Sequence, residues 1–459
     1  MDDETGYTAR AIFQSAMQQQ QHAPRRTVDV GGLRARATRV SIAGVSRIRP
    51  AVLDRLSHGV LVATTVGEIA QEAREAAGRL QALGIAKEAR VVLDQAAGGD
   101  DGGGRGVAVD VALECADGPR YSVRTEAGVD DAEGTAGVAA RMANIFGGGE
   151  TADVHYARGT RTQAAFHGVF AAPVAADPSR RLSVAVTQRL ASHRPHSAHD
   201  ETLREVGVAY SAAAHDVAYS LAWRSVGNLG ADASPTLRTE AGHSLKAAVR
   251  HTVAVDTRDS ARVPSRGSLL RLTSEAAAAP GDARFVKTRI EVQTNRALGA
   301  GFVVSTGMQA GILWPLGSRV SPLADRFFLG GSASVRGFRL HGIGPRDGGD
   351  CIGGDVFYAA GVSLLTPPPL AAAPALRGHV WANAGQLALL DARGLLRGGP
   401  AAASEVRRFL ASPSAAVGVG LVYSHPVVRA ELSLCLPIAA APTDRPKPGL
   451  QFGLGLAFL

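Results

Sequence analysis

From Arg120 to Leu459, apolar and polar residues alternate with a period near two over most of the length. In Leu245–Asp256, Leu245, Ala247, Val249, Val253 and Val255 share one face, and Lys246, Arg250 and Asp256 share the other. In Lys287–Asn295, Thr288, Ile290 and Val292 alternate with Lys287, Arg289, Glu291, Gln293 and Asn295. In Val428–Leu436, Val428, Ala430, Leu432, Leu434 and Leu436 alternate with Arg429, Glu431, Ser433 and Cys435. Successive side chains of a strand point to opposite sides, so these stretches predict strands with one apolar face. Segmentation at turn signals places sixteen strands, centred near residues 124, 140, 154, 167, 185, 208, 220, 250, 271, 290, 306, 360, 380, 419, 432 and 454. An even number is expected of an antiparallel barrel that closes between its first and last strands. The period by itself fits two arrangements: a membrane barrel with its apolar face toward lipid, and a soluble sandwich with its charged face toward water. One connection, Leu316–Gly354, is far too long for a hairpin, and a loop of that length in a compact barrel is usually functional.

Ahead of this region the pattern changes. Residues 1–36 are polar, with Gln18–Gln21 and Arg25–Arg26, and read as a mobile tail. Met1–Gln21 opens with Asp2, Asp3 and Glu4 and has no apolar core, which predicts neither a secretory signal nor a transit peptide. Over 37–117, Thr38–Gly44 alternates like a strand and Val52–Leu56 reads as a short helix. Val66–Leu83 then sets Ile69, Ala73, Ala76, Leu80 and Leu83 on one helical face. Thr65 and Glu68 have the spacing of a capping box. Ala89–Leu93 and Val107–Glu114 read as strands joined by the Gly/Asp-rich Gly98–Gly106. The order strand, helix, helix, strand, strand predicts a small α/β domain, one amphipathic layer on a short sheet.

The chain's 459 residues are 46% hydrophobic, enough for a large buried or lipid-facing surface, and no run of 18 apolar residues occurs. A membrane location would therefore require a closed barrel, which satisfies its own backbone polar groups in lipid. The net charge is +8 and the pI about 9.8, but no basic run carries interleaved aromatics, so nucleic acid is not an expected partner. Cys115, Cys351 and Cys435 are three and far apart, which argues against a disulfide framework and against a thiol-ligated metal. His193, His196 and His199 cluster with Asp200 and Glu201, match no standard zinc spacing, and read as solvated loop residues. Gly102–Gly106 lacks the Lys-Ser/Thr of a phosphate loop, Gly330-Gly331-Ser332 is no nucleophile elbow, and Asp256 and Asp259 fit turn chemistry with Arg258. No catalytic residues, cofactor or metal are expected, and the chain is not expected to be an enzyme.

The long connection contains Arg326-Phe-Phe-Leu-Gly-Gly331, Ser334-Val-Arg-Gly-Phe338, Gly342-Ile-Gly-Pro-Arg346, Gly349-Asp350 and Gly353-Gly354. This ordered set resembles the signature loop of the barrel-assembly insertases, the superfamily of the bacterial outer-membrane assembly barrel and of the mitochondrial sorting and assembly core barrel. The combination of Ser-Val-Arg-Gly-Phe with Gly-Ile-Gly-Pro-Arg is most similar to the mitochondrial branch. Asp256-Thr-Arg-Asp259 with Pro264 and Arg266-Gly267, Gly361-Val-Ser-Leu with Thr366-Pro367, Asn144-Ile-Phe-Gly147 with Glu150, and Gln451-Phe-Gly-Leu-Gly-Leu-Ala-Phe-Leu459 resemble other strands of that family. The region 37–117 resembles its single polypeptide-transport-associated (POTRA) domain, and the likeness extends over about 420 residues.

The resemblance implies a mainly β fold: a transmembrane antiparallel β-barrel of about sixteen strands over 120–459, with the loop 316–354 folding inward, and one small N-terminal α/β POTRA-like domain over 37–117. It implies a lumenal lock in which Arg336, at a tip where Gly337 allows a tight turn and Phe338 follows, binds Asp355 and Asn383 on the next two strands. A buried arginine needs such partners. It also implies a lateral gate between the first strand, with Tyr121 and Val123, and the last, with Gln451, Gly453 and Gly455. Glycines there weaken pairing. The implied function is insertion of β-barrel precursors into the mitochondrial outer membrane by strand templating. Implied partners are unfolded precursors, accessory subunits of a sorting and assembly complex, and the lipid bilayer. A passive porin-like channel and a secretion-type barrel of the same superfamily remain alternatives. The last strand also fits the pattern of a mitochondrial assembly signal, with Gln451, Gly453, Leu456 and Phe458 in its places.

Overall fold

A computed structural model describes residues 31–96, 107–130, 133–317, 320–368, 375–389, 400–424 and 429–455. The tail expected over 1–36 lies outside these residues up to position 30, as do the whole Gly98–Gly106 connection and Leu456 and Phe458. Two compact units are formed, one from residues up to Ser46 with Pro50–Gln81 and Ala86–Asp117, the other from Arg47–Arg49, Ala82–Ile85 and Gly118–Leu459.

The first unit is built from strand β1 (Ala35–Ala43), helices α1 (Pro50–Val62) and α2 (Val66–Ala82), and strands β2 (Ala86–Gln95) and β3 (Val107–Asp117). β3 is central, parallel to β1 and antiparallel to β2. α1 is longer than its sequence signal because Val52, Leu56 and Val60 continue the four-residue spacing and Pro50 opens the helix with the φ it already prefers. α2 buries Ile69, Ala73, Ala76 and Leu80, the face that the spacing predicted. Its cap differs in one detail. The Thr65 hydroxyl accepts the Glu68 N–H (3.2 Å), but the Glu68 carboxylate reaches back to the N–H of Thr64 (2.8 Å), not of Thr65.

The second unit is an antiparallel meander. Its strands are β4 (Tyr121–Asp130), β5 (Glu133–Ala143), β6 (Thr151–Gly159), β7 (Thr162–Val174), β8 (Asp177–Ser192), β9 (Asp200–Ala212) and β10 (His215–Gly227). A short helix α3 (Pro235–Glu240) precedes β11 (Gly242–Asp256), β12 (Gly267–Ala278), β13 (Phe285–Gly299) and β14 (Phe302–Pro315). The long connection follows, carrying a small ribbon of β15 (Arg346–Asp347) and β16 (Asp350–Cys351). The meander ends with β17 (Val356–Leu365), β18 (Leu376–Ala388), helix α4 (Pro400–Ala411), β19 (Ser414–Ser424), β20 (Arg429–Ala439) and β21 (Gly449–Gly455). Each strand pairs with the next, β14 with β17, giving one sixteen-stranded sheet from β4 to β21. All sixteen predicted centres fall inside these strands. Cα atoms of β4 and β21 approach within 8 Å, so the sheet rolls until its ends meet.

The two faces decide between barrel and sandwich. On β20, Leu434 and Leu436 are 53% and 60% exposed, while Glu431, Ser433 and Cys435 are each 3% exposed. On β18, Val380 is exposed and His379, Trp381 and Asn383 are buried; on β19, Val419 and Leu421 are exposed and Ala416 is buried. A water-soluble sheet would do the reverse. Apolar side chains outward and polar ones enclosed is the arrangement of a barrel solvated by lipid. No helix among the described residues is long and apolar enough to cross a membrane.

Candidate functional site

The long connection lies against the inner face. Its Phe327, Leu329, Val335, Phe338 and Ile343 form one apolar core with inward residues of strands from β11 to β20, among them Phe285, Phe357, Trp381, Leu387 and Ala416. Around this core the inner wall is charged. Asp325 receives Arg224 (2.7 Å) and Lys246 (3.2 Å), Lys246 also binds Glu275 (2.9 Å), and Arg271 pairs with Glu291 (2.9 Å). A cavity of about 870 Å³ remains between this wall and the loop, lined by residues such as Arg250, Glu275, Lys287, Arg289 and Glu291.

Arg336 sits at the centre of the seat and is 2% exposed. Its Nε and Nη2 donate to the Glu431 carboxylate at 3.2 and 2.9 Å, and its guanidinium lies 5.3 Å over the Trp381 ring. Glu431 also holds Arg429, which in turn donates to the carbonyl of Arg262 (3.0 Å). One carboxylate therefore serves two buried cations, and both partners of the Arg336 pair are removed from water, where charge-assisted bonds are strong. Gly337 takes φ +82°, and a Cβ there would stand 2.7 Å from that of Ala416, so both backbone and space require glycine. Phe338 is fully buried beside it.

Glu431 was not among the partners expected for Arg336. Asn383 is buried on the same inner face, but its side-chain amide makes no hydrogen bond, to Arg336 or to any other group. Asp355 is buried at the foot of β17, with its N–H on the Ala388 carbonyl (2.8 Å) and its charge acting favourably on Arg326. The signal for Glu431 was present: it is a carboxylate on the polar face of an alternating strand near the end of the chain. What the pattern lacks is the pairing across 95 residues.

The turn is also tied to the last strand. The Gln451 side-chain oxygen accepts the Gly337 N–H (3.0 Å), and its amide donates to the Phe338 carbonyl (3.3 Å). The connection between β20 and β21 adds backbone bonds, Arg339 N–H to Arg445 O (3.0 Å) and Lys447 N–H to Gly337 O (2.7 Å). Gly453 stands opposite Glu431 and Gly455 opposite Arg429, so β21 brings no side chain to the two rows that the ion pairs occupy. Across the seam, Tyr121 and Val123 of β4 are each 71% exposed. Among the described residues no hydrogen-bonded ladder joins β4 to β21.

A correction concerns the histidines. His196 and His199 are 8% and 7% exposed, not solvated, because the long connection docks over them.

Residues 144–458 match the Omp85 superfamily domain. A SAM50-like protein of Schizosaccharomyces pombe is 35% identical over 400 residues, covering 84% of this chain and 82% of that protein. The sorting and assembly machinery component 50 homolog of Homo sapiens is 31% identical over 427 residues, covering 91% and 89%. The solved structure of BamA from Haemophilus ducreyi lacking POTRA domains 1–3 aligns with a TM-score of 0.74 at 15% identity, over 92% of this chain and 84% of that one, a likeness of fold.

Proposed function

We propose, from the premise that this chain belongs to the Omp85 superfamily and within it to the sorting and assembly machinery component 50 family, that it assembles and inserts β-barrel precursors at the seam between β4 and β21. The membrane is the mitochondrial outer membrane, and the partners are unfolded precursors and accessory subunits of a sorting and assembly complex. A precursor's unpaired strand edges cannot enter lipid unsatisfied. A strand edge of the insertase supplies the missing donors and acceptors, so that insertion proceeds by strand addition and needs no covalent step. The observation that carries this reading is the asymmetry of β21. It is laddered to β20 on one side, faces β4 with no described ladder on the other, and is fastened to the lumenal turn through Gln451. Tyr121, Val123, Gln451, Gly453 and Gly455 are the gate residues in this scheme, and Arg336, Gly337, Phe338 and Glu431 hold the loop that seats it. Asp355 and Asn383 line the same inner wall. The inward loop argues against a passive pore, since it occupies the inner face that an open channel would leave to water.

Depletion of the protein in its source cell, with pulse-labelled porin-type precursors followed to the folded form, is the test. Slowed folding is expected, and a normal rate would refute the insertion role. A photo-crosslinker at Tyr121 should capture the precursor's last strand during assembly. Slowed folding without that capture would retain insertion and reject the seam.

A further inference from the structure

Helix α4 lies in the connection between β18 and β19, and it is held by the outward face of the sheet. On β17, Phe357 and Ala359 belong to the inner core, so Tyr358 between them points outward. On β18, Leu387 belongs to that core, so Gln386 before it also points outward. Tyr358 and Gln386 stand opposite each other in the ladder. The Tyr358 hydroxyl donates to the Leu410 carbonyl (3.1 Å), and the Gln386 amide donates to the Ser412 carbonyl (2.7 Å). The Phe409 ring meets that of Tyr358 edge-on, with centroids 5.3 Å apart. Carbonyls at a helix C-terminus lack partners within the helix, and hydrocarbon offers none, so these two donors let the end of α4 rest against a lipid-facing wall. Both donors stand at the rim where the long connection enters β17, since the Asp355 N–H bonds to the Ala388 carbonyl there (2.8 Å). Outward tyrosines at a rim are typical of the depth where hydrocarbon gives way to headgroups.

The helix has two faces. At about 100° per residue, Val406, Phe409 and Leu410 form one narrow stripe, and Ser404, Arg407 and Arg408 lie on the other side. Only Phe409 of the stripe rests on Tyr358; Val406 and Leu410 are exposed. They extend the apolar surface that outward residues such as Val362, Val380 and Val419 present to lipid. Arg407 and Arg408 are exposed as well, and neither has an ion-pair partner among the described residues. Glu405 stands at the margin between the faces, so the helix, with two arginines and one glutamate, keeps a positive charge. An amphipathic helix with a basic polar face lies in the plane of the membrane interface, and guanidinium groups pair well with phosphate and carboxylate.

We propose that α4 is an interfacial anchor. Val406, Phe409 and Leu410 rest at the edge of the hydrocarbon, and Arg407 and Arg408 bind the headgroups of anionic phospholipids. The contact fixes the depth of the rim at which the long connection enters the sheet. It requires only the lipid-facing wall, not the insertion role.

The test uses the full chain with C115S, in vesicles of phosphatidylcholine with and without phosphatidylserine. Cys351 and Cys435 are buried and stay in place. A nitroxide is attached at L410C or, for the polar face, at S404C, and heat-modifiable mobility checks that each variant is a folded barrel. Oxygen, which concentrates in lipid, should relax the label at L410C, and a water-soluble nickel chelate the label at S404C. The ratio of immersed to water-exposed label at L410C should rise with phosphatidylserine and fall back at high salt. R407Q and R408Q should each lower that ratio by about fivefold in phosphatidylserine vesicles. Equal nickel access at L410C and S404C in both vesicles would overturn the anchor and leave the apolar stripe to a protein partner. Immersion at L410C that ignores lipid charge and both arginine changes would overturn the headgroup assignment.

Discussion

Replacing Glu431 by glutamine removes one charge and almost no volume. Arg336 is 2% and Glu431 3% exposed, so the pair is out of reach of solvent screening. Removing one partner of a buried ion pair costs about 3–5 kcal/mol, chiefly because the other charge is left buried without compensation. Here two guanidiniums depend on the same carboxylate, Arg336 and Arg429, which puts E431Q at the upper end of that range. The cost falls on the seated form of the loop. At about 1.4 kcal/mol per factor of ten, the unseated population should rise by two to three and a half orders of magnitude. Cys435 is a built-in reporter, being 3% exposed beneath the turn with its Cβ 3.7 Å from where a Gly337 side chain would begin. In a background with Cys115 and Cys351 replaced by serine, alkylation of Cys435 should accelerate in E431Q by a large part of that factor. R336M should accelerate it less, since Arg429 still compensates Glu431. The double variant should fall well short of the sum, because both changes remove one interaction. Equal labelling of E431Q and wild type would refute the claim that this carboxylate holds the loop.

Three further outcomes follow from the same geometry. Q451L deletes the two bonds to Gly337 and Phe338 and leaves a buried N–H and carbonyl unmet, so it should destabilise the seated turn by about 2–4 kcal/mol in the same alkylation assay; an unchanged rate would exclude Gln451 as a fastener. G337A should lower the thermal midpoint by the equivalent of about 1–3 kcal/mol, and A416G should restore only the part due to the 2.7 Å contact, since φ +82° stays strained; full rescue would show that the backbone term is negligible. Asp347 accepts the Thr236 hydroxyl (2.7 Å) and N–H (3.0 Å), bonds that hold its carboxyl below the ordinary 3.8. That contribution is full above pH 3.8 and is lost as pH falls through the lower folded value, so the difference in midpoint between wild type and T236V should shrink as pH drops below about 4. A constant difference from pH 6 to 3 would mean that Asp347 does not titrate against this bond.

The strands were legible because period two survives wherever one face meets lipid and the other meets charge. Leu434 and Glu431 differ in type as sharply as in exposure. The inward loop was legible as an ordered set of glycines and aromatics around Arg336. Its partner was not. Alternation puts Glu431 on the inner face, but it does the same for Asn383, and only the folded sheet gives the hydrogen bond of Arg336 to Glu431 of β20 and none to the Asn383 side chain of β18. The histidines were misjudged for the same reason. His193, His196 and His199 lie in a polar connection, and the burial of His196 and His199 comes with residues about 150 positions away. Helix α3 was missed although its signal is local. Ser234 accepts the Leu237 N–H through its hydroxyl and Pro235 follows at the first helical position, a start signal outweighed by a region read only for strands.

The loop and the last strand share their fastenings, and in the proposed scheme this links the seat of the loop to the seam between β4 and β21. Among the described residues β21 has one neighbour by ladder, β20, and that strand carries both Glu431 and Arg429. Its remaining inner side chain on the described rows, Gln451, is spent on the turn that presents Arg336. A change that shifts β21 relative to the loop strains the bonds of Gly337 and Phe338 to Gln451, and so disturbs the turn that aims Arg336 at Glu431. Conversely, an unseated turn leaves the buried Gln451 with two unmet groups, which costs more than losing them at a surface. In the proposed scheme the state of the seam and the seat of the loop are coupled through three residues, Arg336, Glu431 and Gln451. The glycines at 453 and 455, opposite Glu431 and Arg429, add no side chain to the rows that the coupled groups occupy.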